Sequence, residues 1–192
     1  MFADIINFTQ LSEEMPPKFM VTLLNEVFSH FDQLAEKHGI EKIKTIGDAY
    51  MVAGGLDIHH RDDHATAPER DYSAAVCELA LDMRDYMAAL SGVRISRLQI
   101  HVGIGTGPVV AGVIGTKKFI YDLWGDTVNI ASRVTSEATA GKILLDATTY
   151  RRVREIFEFE GPLNLNVKGK GEIQAWRLVG RKGAAAPAAR NP

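Results

Sequence analysis

The stretch Ile40-Glu41-Lys42-Ile43-Lys44-Thr45-Ile46-Gly47-Asp48-Ala49-Tyr50-Met51-Val52-Ala53 decides how the chain folds. Two short β-rich runs, 40–46 and 49–53, flank Gly47-Asp48, a dipeptide suited to a tight hairpin turn, so Asp48 sits at a tip. A segment of helical period lies on either side. From Lys18 to Lys37, Phe19, Met20, Leu23, Leu24, Val27, Phe28, Phe31 and Leu34 follow 3-and-4 spacing, entered through Pro16-Pro17 and stopped at Gly39. From Tyr72 to Leu90, Val76, Leu79, Ala80, Met83, Met87 and Leu90 repeat that period before Ser91-Gly92.

Further out, Leu98, Ile100, Val102 and Ile104 alternate with Gln99, His101 and Gly103, the pattern of a strand with one buried face. Pro108 to Ile114 reads as a buried run, Phe119 to Trp124 as a strand, and Gly125-Asp126 as the start of a helix reaching about Ser136. Strand-like pieces at Lys142 to Leu145, Leu163 to Lys168 and Ile173 to Val179 follow. This order predicts an α+β fold of the ferredoxin-like group, a mostly antiparallel sheet with helices packed on one face.

Composition narrows the function. Lys and Arg number 22 against 24 Asp and Glu, a net charge of −2, so no overall field draws nucleic acid or anionic lipid. The 192 residues fit one domain over 1–180, with a solvated Ala, Gly, Pro and Arg tail at 181–192. Cys77 is alone, which excludes an internal disulfide and points to a reducing, cytoplasmic setting. No apolar run approaches the roughly 20 residues that span a bilayer, so no membrane contact is expected from this segment. Asp57 to Asp71 holds His59, His60, Asp62, Asp63 and His64 but reads as a polar loop without metal.

Asp4 stands where a strand ends and a helical region begins, and alone it would read as a helix N-cap. Asp48 changes that reading, because two carboxylates converging on one point are the minimum protein share of a Mg²⁺ site completed by phosphates and water. The amides that follow, around Phe8 and Thr9 at a helix start, are placed to hold phosphate oxygens.

Five ordered blocks then carry a resemblance across nearly the whole chain: Phe2 to Thr9, Glu41 to Met51, Gly103 to Gly115, Tyr121 to Arg133, and Asn166-Val167-Lys168-Gly169-Lys170-Gly171. Together they resemble the signature blocks of class III nucleotidyl cyclase catalytic domains, closest to the bacterial homodimeric adenylate cyclases. The resemblance implies the nucleotidyl cyclase fold and two Mg²⁺ or Mn²⁺ ions held by Asp4, Asp48 and the backbone carbonyl of Ile5. By the same resemblance Arg133 stabilises charge on the α-phosphoryl group, Asn129 orients the ribose and Lys168 holds the terminal phosphates. Asn129 and Arg133 lie at i and i+4, and the apolar Val128, Ile130, Ala131 and Val134 around them predict a mostly buried helix.

Base choice follows from chemistry at the two positions that the resemblance assigns to it, Lys44 and Asp122. Adenine offers an acceptor at N1 and a donor at its 6-amino group, matched by a lysine and a carboxylate, whereas guanine reverses both. Guanylate cyclases usually carry Glu and Cys there. The expected activity is therefore conversion of ATP to 3′,5′-cyclic AMP and pyrophosphate in a homodimer with two shared sites. A guanylate cyclase and a catalytically silent regulatory domain are the alternatives. Gly54-Gly55 followed by Leu56-Asp57 opposes a diguanylate cyclase. Many relatives carry Arg where this chain has His101, which is either a phosphate contact at lower pH or a satisfied structural histidine. Only three residues precede Asp4, so the first strand reads as cut short, with an upstream membrane or sensor domain expected.

Overall fold

The computed structural model describes residues 1–6, 8–56, 71–93, 98–167 and 170–183, the side chains of 9, 92 and 93 excepted. A central sheet organises the chain. Its strands are β1 (Phe2–Ile6), β2 (Glu41–Ile46), β3 (Ala49–Ala53), β4 (Gln99–Ile104), β7 (Ile143–Asp146), β8 (Phe157–Val167) and β9 (Gly171–Arg181), in the order β2-β3-β1-β4-β7-β9-β8. Every neighbouring pair is antiparallel except β4 and β7. Between β4 and β7 the chain makes a separate two-stranded ribbon, β5 (Val110–Ile114) and β6 (Ile120–Trp124). The helices are α1 (Phe8–Glu14), α2 (Pro17–His38), α3 (Tyr72–Val93), α4 (Asp126–Glu137) and α5 (Ala147–Val153).

The two long helices form where the periodic segments predict them. Pro17 opens α2, and Gly39, left-handed at φ 64°, closes it by donating its N–H to Glu36 O. Leu23, Val27, Phe31 and Ala35 of α2 and Leu79, Ala80 and Met83 of α3 meet Ala3, Ile5, Tyr50, Val52, Ile100 and Val102 in the main core. Phe31 is fully buried, and its truncation to alanine would cost about 3–5 kcal/mol.

Strand alternation sends Phe2, Asp4 and Met51 to the opposite face. The helices are accordingly divided: α2, α3 and α5 gather on the face the sequence predicts, while α4 lies across the other. Its Ala131 packs with Phe2 and Met51, and Val134 and Ala138 pack with Leu144 and Ala175. The close approach depends on Gly103, where any Cβ would collide with the backbone N and Oγ1 of Thr135.

Three expectations are corrected. β1 continues two residues past Asp4, so Asp4 is a mid-strand residue. The Pro108 to Ile114 run is not buried: Val110, Val113 and Ile114 are exposed, because among the described residues β5 pairs with β6 alone. β8 starts at Phe157 and not near Leu163, and α5, a short helix capped by Asp146, stands where the sequence pattern predicts no element. The loop at 57–70 and the end of the tail, 184–192, lie outside the described residues. No described helix is long and apolar enough to cross a membrane.

Candidate active site

The face under α4 collects the polar residues singled out in the sequence. Asp4 is opposed by Ala49 on one side and His101 on the other, so the β2–β3 turn carries Asp48 to the side of Asp4. Partial burial and the nearby Asp4 charge push the Asp48 carboxyl above its ordinary pKa, against its own backbone N–H and His101, which act downward. His101 is held at both ring nitrogens: Nδ1 lies 2.7 Å from Ala138 O, and Nε2 lies 3.3 Å from Asp4 Oδ2. The contact to Asp4 raises the His101 pKa, with burial opposing and the Ala138 carbonyl adding to it. Ala138, which fixes the ring from the end of α4, carries no sequence signal, since its contribution is a backbone carbonyl.

Regular alternation would give Lys42 and Lys44 the same face. β2 instead carries one extra residue, with Lys42 opposite Val52 and Lys44 opposite Met51, so Ile43 is a bulge. Val52 belongs to the core against α2 and Met51 to the cluster under α4. Lys44 is thereby turned to the α4 face, where its Nζ lies 2.5 Å from Asp122 Oδ2 on β6. Burial works against ionisation of Asp122, but hydrogen bonds from Lys44 and from the Leu123 N–H outweigh it and hold the carboxyl below its usual range.

Asn129 and Arg133 share one face of α4, and that face is exposed. The expectation of a mostly buried helix is therefore wrong: only Ala131, Val134 and Thr135 are buried, and the apolar Val128 and Ile130 are half-covered at the flanks. Among the described residues no group pairs with the Arg133 guanidinium. Phe8 opens α1 and packs on the main core. Thr9 follows in the same helix with its side chain outside the described residues, as are Lys168 and Gly169. Sequence reasoning missed the contact beside them, Lys170 Nζ at 2.6 Å from Asp126 Oδ2 at the start of α4. It also missed Thr127, whose Oγ1 donates to Pro108 O at 2.8 Å and fastens the same helix end to the chain leaving β4.

The structure thus brings together Asp4, Asp48 and His101 as one group and Lys44 with Asp122 as another. Residues 1–180 match the family model described as the adenylate and guanylate cyclase catalytic domain. The chain belongs to this family of nucleotidyl cyclases. The cyclase domain is 41% identical over 187 residues to an adenylate cyclase of Mycobacterium tuberculosis, covering 97% of this chain and 40% of that protein. Among solved structures it is similar to the guanylate cyclase domain of RhGC from Catenaria anguillulae in complex with GTP, with TM-score 0.83, 34% identity and 94% of each chain covered. It is also similar to the adenylyl cyclase CyaB from P. aeruginosa, with TM-score 0.80, 31% identity, and 93% and 91% covered. The domain spans well under half of its mycobacterial relative.

Proposed function

We propose that this cyclase domain is an adenylate cyclase that converts ATP to 3′,5′-cyclic AMP and pyrophosphate. Overall likeness does not choose the base, since guanylate and adenylate cyclases stand at similar identity. The observation that carries the choice is the Lys44–Asp122 pair, a cation and a carboxylate 2.5 Å apart at one spot. Opened by a purine edge, the pair gives N1 of adenine a donor and its 6-amino group an acceptor, and opposes guanine at both atoms.

Asp4 and Asp48 are hard oxygen donors close enough to feel each other's charge, which suits a divalent cation, and no group of three metal-ligating side chains forms among the described residues. Two Mg²⁺ or Mn²⁺ ions held by Asp4, Asp48 and the Ile5 carbonyl would lower the pKa of the ribose 3′-hydroxyl and neutralise the triphosphate. The ribose 3′-oxygen gives its proton to solvent water and bonds to the α-phosphorus while the bond from that phosphorus to the β-phosphate oxygen breaks, releasing pyrophosphate. Arg133, exposed and free of protein partners among the described residues, meets the charge that grows on the α-phosphoryl oxygens. Asn129, one turn earlier, holds the ribose. Lys168 and the first amides of α1 at Phe8 and Thr9 take the outer phosphates. His101, engaged at both nitrogens, keeps Asp4 in place.

The active form in this reading is a homodimer in the cytoplasm, with Asp4 and Asp48 of one chain facing Lys44, Asp122, Asn129 and Arg133 of the other. The exposed apolar side chains of the β5–β6 ribbon, Val110, Val113, Ile114, Phe119 and Ile120, support an interface there. Incubation with ATP or GTP and Mn²⁺, with the product identified by mass spectrometry, tests the reading: cyclic AMP from ATP is expected, and cyclic GMP as the main product contradicts it.

A further inference from the structure

The β2 bulge has a second anchor on the face away from the nucleotide. Lys42, two residues before Lys44, points to α2, where its Nζ lies 2.8 Å from Asp32 Oδ2 and 5.2 Å from the centre of the Tyr50 ring. Tyr50 is fully buried between Phe28 and Phe31, with ring centroids at 5.6 and 5.5 Å, and its hydroxyl donates to the same carboxylate, Asp32 Oδ1, at 2.5 Å. Burial and the adjacent Asp32 push the Tyr50 hydroxyl well up, so it remains a donor. One carboxylate on α2 thus receives a side chain from β2 and a side chain from β3, on the two sides of the hairpin. Thr45 faces Tyr50 in the ladder, so residues 42, 45 and 50 share one face while 43, 44 and 51 share the other.

That arrangement fixes the register. In a strand, a shift of one residue turns every following side chain over. If the bulge at Ile43 were lost, Lys44 would follow Lys42 onto the α2 face and leave Asp122 without its partner. The Lys42–Asp32–Tyr50 clamp ties down the residue just before the bulge, and the rest of β2 is exposed or half-exposed with little packing of its own to hold it. We propose that Asp32, Lys42 and Tyr50 form a positioning clamp that holds the β2 bulge and so aims Lys44 at the purine edge, making residues remote from the nucleotide determinants of base selectivity. The selectivity part rests on the adenine reading above; the aim of Lys44 does not.

Two measurements on the full chain test it in Lys42→Met, Asp32→Asn and Lys42→Arg. The Lys42 and Asp32 side chains are 38% and 45% exposed, so these exchanges leave the core intact. The first readout is the rate at which an amine-reactive acyl reagent modifies Lys44, followed by mass spectrometry with Lys18 as internal reference. The second is the ratio of kcat/KM for ATP to that for GTP. Lys44 labelling should rise roughly threefold or more in Lys42→Met and Asp32→Asn as the strand opens locally. The ATP preference should fall about tenfold, the loss of one well-placed polar contact, and Lys42→Arg should restore both. A merely structural role would lower both substrates together and leave the ratio unchanged. Unchanged Lys44 labelling in both variants overturns the clamp whatever the nucleotide preference. Raised labelling with an unchanged ratio, in a parent that prefers ATP, overturns its role in selectivity. Raised labelling in a parent with no ATP preference supports the positioning and counts against the adenine reading alone.

Discussion

Asp4 and His101 stand directly opposite each other on β1 and β4, and the imidazole Nε2 reaches within 3.3 Å of the Asp4 carboxylate. With Nδ1 donating to Ala138 O, the ring serves Asp4 best as the imidazolium, which accounts for its raised pKa. The two acidic residues are therefore unlike. His101 touches Asp4 directly and draws Asp48 down only at a distance, where burial and the Asp4 charge prevail and raise the Asp48 pKa.

This asymmetry separates the effects of two otherwise similar substitutions. Asp4→Ala and Asp48→Ala should each lower turnover at saturating Mn²⁺ by at least about a hundredfold, since in the proposed mechanism each removes a metal ligand needed for transition-state charge. Without metal, Asp48→Asn should raise the melting temperature by roughly 1–3 °C, because a carboxyl whose folded pKa is raised destabilises the fold when ionised. Asp4→Asn should not, as it also loosens His101. Thermal scans with and without Mn²⁺ check both, and activity above a tenth of the parent's in either alanine variant contradicts the metal assignment.

Arg133 lies exposed on α4, so its truncation leaves no cavity and the fold should be unaffected. Arg133→Ala should lower kcat by roughly a hundredfold or more with little change in KM, because in the proposed mechanism its partner charge develops only in the transition state. Asn129→Ala should act in the same direction more mildly. Steady-state kinetics on ATP decide it, and a change mainly in KM would place either residue on the ground state.

A site shared between two chains predicts complementation. Asp4→Ala and Arg133→Ala proteins should each be inactive, because every site in either homodimer lacks one part. Mixed 1:1 with verified subunit exchange, they should recover roughly a quarter of parental activity, since half the dimers are mixed and each of those has one intact site. No recovery, or full activity in a monomer, contradicts the shared site.

Stability at acid pH should depend on Asp82. Its carboxylate on α3 accepts from Lys37 and His38 at 2.8 Å each and from Arg181 of β9 at 2.8 Å. Burial opposes ionisation, but these three donors prevail and bring the pKa down to about 2. A pKa lower in the folded than in the unfolded chain gives stability that is present above about pH 4 and is lost as pH falls towards 2. Asp82→Asn should thus lower stability at pH 7 by on the order of 1–2 kcal/mol and flatten the acid limb between pH 4 and 2. Denaturant titrations across that range check the slope.

Much of this was legible in the sequence where one physical signal dominated. The 3-and-4 spacing of Leu23, Val27 and Phe31 marked α2, and Gly47-Asp48 marked the turn that carries Asp48 to Asp4. The rest depended on what the chain meets after folding. Val110 to Ile114 looks like core by composition and is exposed because it belongs to a ribbon outside the main sheet. Arg133 looked buried because its neighbours are apolar, whereas α4 turns only a narrow stripe to the sheet. The bulge at Ile43 was hidden altogether, since a strand read at period two puts Lys42 and Lys44 on one face. The resemblance assigns Lys44 to the base, and its route to that face is visible only in the register.

Whether Lys44 and Asp122 read the purine is decided by the ratio of kcat/KM for ATP to that for GTP in the parent and in the double variant Lys44→Glu with Asp122→Cys. The donor and acceptor are then exchanged at both base atoms, and each mismatch costs about 1–3 kcal/mol. The parent should favour ATP, and in the double variant the ratio should fall by at least about a hundredfold towards GTP. A ratio that is the same in both proteins contradicts it.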